Sequence, residues 1–303
     1  MAYSGPIVDA HMHLWDLERH HYAWLQVPPP PNPAGDVSGI AGRSYGVRDY
    51  LGDVAGWNVV RSVHIECGLP PQDQLSETDW LQALADAEGF PHAIVAGACL
   101  ERPDVEALLE AHAARPNVRG VRQIVNWHAD PAKTYTTRDL LRDPAWRAGF
   151  ALLARHGLSF DLQLYPRQMG EAARLAAAHP DVPMIVNHAG MPTDRDAEGL
   201  ATWAAGLAVL ASHPQVAIKI SNFGGVDRRW SAGSIEPFVH QILDIFGVDR
   251  VMFASNFPVD RTHGSFGAHY AAFDYAVRAL SADERLAVFA GNANRLYRLG
   301  LEI

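Results

Sequence analysis

The 303 residues, 48% of them apolar, carry enough hydrophobic material for one large α/β domain. A formal net charge of −9 argues against nucleic acid or an anionic membrane as the main partner, and no run approaches the ~18 uninterrupted apolar residues of a membrane span. Cys67 and Cys99, the only cysteines, have no CxxC partner, and the first residues lack the basic start and apolar run of a signal peptide; the expectation is a cytoplasmic enzyme without a disulfide framework.

Short β-branched runs recur along the chain. "PIVDAH" (6–11) is the first, then "VVRSVHIEC" (59–67), "AIVAGACL" (93–100) and "VRGVRQIV" (118–125). "LSFDLQLY" (158–165), "VPMIVNHAG" (182–190), "VAIKISNFG" (216–224) and "RVMFASNFP" (250–258) complete eight. Helical, alanine- and leucine-rich segments separate them, beginning with 78–88 and 104–114 and ending with 266–280 and 281–299. Strands alternating with helices indicate a parallel sheet, and eight such units in this length predict a single (β/α)8 barrel over 1–303. A doubly wound sheet would carry a glycine-rich phosphate loop after its first strand, and "DAHMHLWD" is not one.

Residues 17–48 break the rhythm. Pro28 to Pro31 forbid helix and favour extended structure. Barrel active sites lie at the carboxyl ends of the strands, so a long loop after strand one is expected to wall the pocket, with Tyr22 and Trp24 as its aromatic contacts.

Alternate residues of a strand share a face, so His11 and His13 are expected side by side at the end of strand one. Two neutral imidazoles suit zinc or a similar divalent ion, and suit a substrate oxygen equally well. Company from other strand ends adds weight: Glu66, Arg122, Gln163, His188 and Asn256. Each has a plainer reading, Glu66 as a partner for an arginine and His188 as a buried histidine bonded to backbone. Arg122 in an apolar run needs an anion, and a substrate carboxylate would serve. Only Ser221 sits near the strand end, so Lys219 is expected to lie deeper or to pair internally.

HxH after strand one, "NHAG" after strand six and "FASNFPVD" after strand eight together resemble the amidohydrolase superfamily. The likeness is to its lactone-hydrolase branch, which acts on sugar lactones and on 2-pyrone-4,6-dicarboxylate. Tyr22, Trp24 and Leu25, Gly120 and Arg122, the "KIS" of 219–221, and Asn294 with Leu296 extend it over nearly the whole chain. The resemblance implies an active site at His11, His13 and His188, with one zinc in some members and no metal in others. It implies a small-molecule lactone as substrate; a decarboxylase of aromatic acids and a sugar-acid binding protein without turnover are the alternatives. A homodimer is left open.

Two departures stand out. Gln163 occupies the place where metal-rich relatives have a histidine, which argues against two metals. Asn256 occupies the place of the usual strand-eight aspartate, and a neutral amide cannot take a proton from water. Glu66, Asp260 or a histidine then becomes the candidate base, or a metal on His11 and His13 generates hydroxide. Asp260, four residues on, is also a candidate substrate contact.

Overall fold

The computed structural model describes residues 3–303. Eight strands form one parallel sheet in the order of the chain: β1 Ile7–Met12, β2 Val59–Ile65, β3 Ala93–Gly97, β4 Val118–Arg122, β5 Ser159–Leu162, β6 Met184–Val186, β7 Val216–Ile220 and β8 Val251–Phe253. Seven of the eight expected runs contain their strand whole, and β1 extends one residue past its run, to Met12. Beyond β8, Asn256 N–H donates to the His11 carbonyl (2.7 Å) and His13 N–H to that of Phe257 (2.8 Å), so the last strand end meets the first and the sheet approaches closure as a (β/α)8 barrel.

The connecting helices are α1 Val47–Asp53, α2 Gln74–Glu88, α3 Val105–Ala113, α4 Pro144–Ala151, α5 Met169–Ala178, α6 Ala197–Ala211, α7 Phe223–Val226, α8 Ala232–Phe246, α9 Phe266–Ala276, α10 Ala282–Leu286 and α11 Asn292–Leu296. Their starts are chemically specified. Asp143 accepts from Ala145 and Trp146 N–H ahead of Pro144, Asp196 caps α6, and Ser265 caps α9. Among the described residues no helix is long and apolar enough to cross a membrane.

Two apolar clusters result. The larger lies between strands and helices, with Trp146, Phe150, Trp203, Phe253 and Phe273 among its members. The smaller fills the barrel with Val8, Ala10, Val63, Val95, Ile185, Ala217 and Met252, joined by Tyr297 from the C-terminal segment. Within the barrel Lys219 and Asp161 form a fully buried ion pair, Nζ to Oδ1 2.5 Å, to which Tyr297 Oη and Asn187 Nδ2 add hydrogen bonds. Lys219 is thus paired internally, as its depth on β7 suggested.

The 17–48 loop is less bare than its prolines imply. It contains a short turn of 3-10 helix, Ala23–Leu25, and it runs into α1.

Candidate active site

β1 does not obey simple alternation. Val8 and Ala10 both point into the barrel, while Met12 packs outward. Between Asp9 and Met12, three residues of β1 span what two residues of β2, Ser62 to His64, span opposite. This bulge re-aims His11, which strict alternation from Ala10 would turn outward. The result is the predicted pair by an unpredicted route: the His11 ring lies 5.0 Å from that of His13 and 4.7 Å from that of His188. Asp9, between Val8 and Ala10 in sequence, braces the strand from outside; Ser255 N–H, Ser255 Oγ and Tyr50 Oη all donate to its carboxylate.

A cavity of about 250 Å³ opens above these rings. His13, His188, Asn256, Arg122 and Gln163 line it from the strand ends, and Trp24, Asn32 and Ala34 from the 17–48 loop. Trp24 is pinned by Nε1 donating to the Cys67 carbonyl (2.8 Å). Tyr22 is not a wall residue: it is fully buried, and its hydroxyl donates to Glu77 on α2 (3.0 Å). Its ring belongs to the packing between loop and barrel, because Trp24, two residues on, takes the cavity side. Tyr135 and Asn222 also reach the cavity. No motif marked Tyr135; "SNFGG" after β7 was the available sign for Asn222, whose φ of +59° is a left-handed conformation that asparagine tolerates. A larger cleft of about 900 Å³, around Trp127, Lys133 and Arg142, holds none of the converging imidazoles.

Glu66 is committed to structure. One carboxylate oxygen accepts from Arg122 Nε (2.6 Å) and the other from Gly68 N–H (2.6 Å). Arg122 also donates to the Glu66 carbonyl (2.7 Å) and to Gln163 Oε1 (3.2 Å). The pair is buried, with side-chain exposures of 5% and 7%. Each Glu66 oxygen thus already accepts one strong hydrogen bond, and the carboxylate neutralises the cation that was expected to wait for a substrate carboxylate. Arg122 keeps two of its five N–H donors, and Gln163 keeps its amide N–H groups, for neutral oxygen acceptors in the cavity.

The histidines are held neutral. Burial pushes His13 down to about 3, helped by the Arg122 charge, and pushes His11 and His188 well below the usual imidazole range. His188 Nδ1 bonds Ser221 Oγ (2.9 Å), leaving Nε2 toward the cavity. His188 and Asn256 both have left-handed backbones, φ +56° each, at the strand ends. A histidine in that conformation is held there by its surroundings at a cost on the order of 1–3 kcal/mol, a pattern concentrated at functional sites. His11 is fully buried, and neither ring nitrogen has a hydrogen-bond partner among the described residues. Such a group waits for a ligand or a water.

Catalytic zinc takes three protein ligands. His13 Nδ1–H donates to the Ile65 carbonyl (2.8 Å), and Nε2, 3.2 Å from Asn256 Oδ1, is the nitrogen on the cavity side. His188 keeps Nε2 beyond its bond to Ser221, so His11, His13 and His188 are the three imidazoles that would hold a single zinc ion. One other group, His64, Cys67 and Glu77, brings potential ligand atoms within 4.8 Å of one another. Leu14 N–H donates to His64 Nδ1 (3.1 Å), which places the ring proton on Nε2 and leaves no lone pair for a metal. Burial also raises Glu77 to about 8 and raises the Cys67 thiol, so both keep their protons at neutral pH. This group is a packed polar cluster behind the cavity.

The amidohydrolase family model matches residues 8–299. The chain belongs to the amidohydrolase family. With that membership comes a hydrolase acting on a small molecule, as the resemblance of the strand-end motifs implied. The chain is 45% identical to the uncharacterized protein y4mH of Sinorhizobium fredii over 97% of its own length and 98% of that protein's. It is 28% identical to an L-fucono-1,5-lactonase of Burkholderia ambifaria, covering 96% and 95%. An amidohydrolase from Burkholderia multivorans, solved with bound zinc, superimposes with a TM-score of 0.79 at 26% identity over 97% of this chain and 99% of the other. Zinc therefore occurs in a protein of this fold and family.

Proposed function

We propose that this amidohydrolase opens a small, uncharged, hydroxyl-bearing lactone with water. One observation carries the reading: among the described residues the only cation facing the cavity, Arg122, is already matched by Glu66, while the remaining lining offers neutral hydrogen-bond groups. A dicarboxylated pyrone or an aromatic acid would bring negative charge to a site with no unmatched positive charge to receive it, and would lose its hydration without compensation. A sugar lactone loses only hydroxyl hydration, which Gln163, Asn222, Tyr135 and the spare Arg122 donors can replace. The similarity to a fuconolactonase supports the same class.

The lactone carbonyl sits toward Arg122 and Gln163, whose remaining N–H groups stabilise the developing oxyanion. Water is held at His188 Nε2, with the unpartnered His11 beneath it. His188 Nδ1–H donates to Ser221 Oγ, which leaves Nε2 with the lone pair that takes the proton of the attacking water. Trp24 closes the cavity. We read the chemistry as metal-independent because Arg122 and Gln163 already offer donors to the oxyanion and His188 Nε2 a base to the water.

The test is a panel of five- and six-membered sugar lactones, followed by acid release on a pH indicator, beside 2-pyrone-4,6-dicarboxylate and a set of aromatic acids followed by CO2 release. Turnover confined to neutral lactones supports the reading. CO2 release, or preference for the dicarboxylate, overturns it, and saturable lactone binding without acid release makes the protein a binder.

A further inference from the structure

The smaller cavity has room for one ring and little else. At about 250 Å³ it falls below the roughly 300–1,000 Å³ of most ligand pockets. Its charges are already spent. Arg122 is matched by Glu66. Asp260, expected as a substrate contact, is not part of the lining: its carboxylate accepts from Asn256 Nδ2 (3.0 Å) and Asn222 N–H (2.9 Å).

The cleft of about 900 Å³ opens beside it, over the loops that follow β4, β5 and β6 on the same carboxyl face of the barrel. Three segments line both spaces. Asn32 and Ala34 face the smaller and Pro33 the larger; Tyr135 faces the smaller and Lys133 the larger; Gln163 faces the smaller and Tyr165 the larger. One molecule can therefore occupy both.

The larger cleft contains an indole that folding does not use. The chain has eight tryptophans. Seven lie in the apolar core or pack against it; Trp127 does neither and is 39% exposed. Its position is nonetheless fixed. Trp127 N–H donates to Oε1 of the buried Gln168 (3.1 Å), His128 N–H to Thr134 Oγ1 (3.2 Å), and Tyr165 Oη to the Lys133 carbonyl. A loop bonded to itself that leaves a large ring partly in water serves binding rather than stability. The lining also holds Lys133, Arg167 and Asp194, all exposed and without ion-pair partners among the described residues, while Arg142 is matched by Asp139 and Glu171.

This mixture selects the ligand class. Cations donate and carboxylates accept, and a sugar hydroxyl does both. A sugar ring also has a face of C–H groups that lies flat on an indole, whose own face is electron-rich. A bare anion would meet Asp194, and a flat protein surface would leave the polar groups of the cleft unpaired.

We infer that the larger cleft is a subsite for a neutral glycosyl group stacked on Trp127, and that the lactone opened in the smaller cavity carries such a group outside its ring. The lactone half rests on the hydrolytic reading; the sugar subsite rests on the cleft alone. The reaction is unaltered: water adds to the carbonyl, the ring C–O bond breaks, the ring oxygen takes the proton that the water gave up, and the glycosidic bond stays intact.

Saturation-transfer NMR with maltose, cellobiose and melibiose tests the subsite without turnover. At least one disaccharide should receive saturation from the protein. Trp127→Ala should abolish the transfer, and Trp127→Phe, which keeps a stacking face, should retain it. For turnover, gluconolactone is compared with maltobionolactone, cellobionolactone and melibionolactone, which attach a second sugar to the same unit through three linkages. The best of the three should exceed gluconolactone in kcat/KM by about tenfold, and Trp127→Ala should erase that ratio. No transfer to any disaccharide, or transfer unchanged in Trp127→Ala, overturns the subsite. A dimer in light scattering that Trp127→Ala dissociates assigns this face to a second copy of the chain and overturns it too. Lactones opened without preference for the glycosylated ones overturn the substrate assignment while the hydrolytic reading stands. Disaccharide binding that depends on Trp127, with no lactone opened, upholds the subsite and overturns the hydrolytic reading.

Discussion

Glu66→Gln separates structure from chemistry at the pair that decides the cavity's charge. Glu66 and Arg122 are 2.6 Å apart and almost wholly buried. Removing one charge of a buried pair leaves the other uncompensated, a loss of about 3–5 kcal/mol. Shape does not rescue it. Both carboxylate oxygens accept, one from Arg122 and one from Gly68 N–H, whereas a glutamine offers one oxygen and one NH2. One donor is left facing another donor. An unfolding entropy of about 2.1 cal/mol/K per residue gives roughly 0.6 kcal/mol per kelvin for this chain, so the melting temperature should fall by about 5–8 °C. Scanning calorimetry measures it. The unmatched guanidinium should also raise kcat/KM for a carboxylated lactone relative to a neutral one by about tenfold, a 1.4 kcal/mol change. If the variant melts within about 1 °C of the parent while turnover falls a thousandfold, Glu66 is a proton acceptor and the pairing argument is wrong.

Three further outcomes are expected. His11→Leu should end turnover yet melt no lower than the parent, because an unpaired buried polar group costs about 1–3 kcal/mol that a leucine avoids; retained activity would remove His11 from the site. Exhaustive chelation followed by elemental analysis should leave lactone turnover intact, and activity that is lost and then restored by zinc would refute the metal-independent reading. Stability should drop as pH falls from about 6.5 toward 4, since the unfolded histidines take up protons that His13, His112 and His269, held at about 3 to 4 in the fold, refuse. Each such histidine contributes up to about 1.4 kcal/mol per pH unit in that window. Glu77 and Asp260, raised to about 8 and 7, act in the opposite sense and soften the slope. Melting curves against pH check the sign, and a flat profile from pH 4 to 6.5 would contradict it.

The barrel was legible in the sequence because each strand is a local apolar run and each helix a local pattern, and eight alternations leave few ways to close a sheet. The HxH pair, His188, Asn256 and the deep placement of Lys219 were legible for the same reason: position along a strand fixes height in the barrel. What escaped was everything set by a partner far away in sequence. The bulge that turns His11 inward depends on β2 register. Tyr22 and Trp24, two residues apart, were indistinguishable until α2 supplied Glu77 to one and the Cys67 carbonyl received the other. Glu66 and Arg122 each looked available, and only the packing of β2 against β4 across β3 made them spend their hydrogen bonds on each other. Residue type and spacing determined which chemistry was present at the barrel mouth; tertiary structure decided which of those groups were still free, because a hydrogen-bonding capacity is finite and only the folded neighbours show where it has gone.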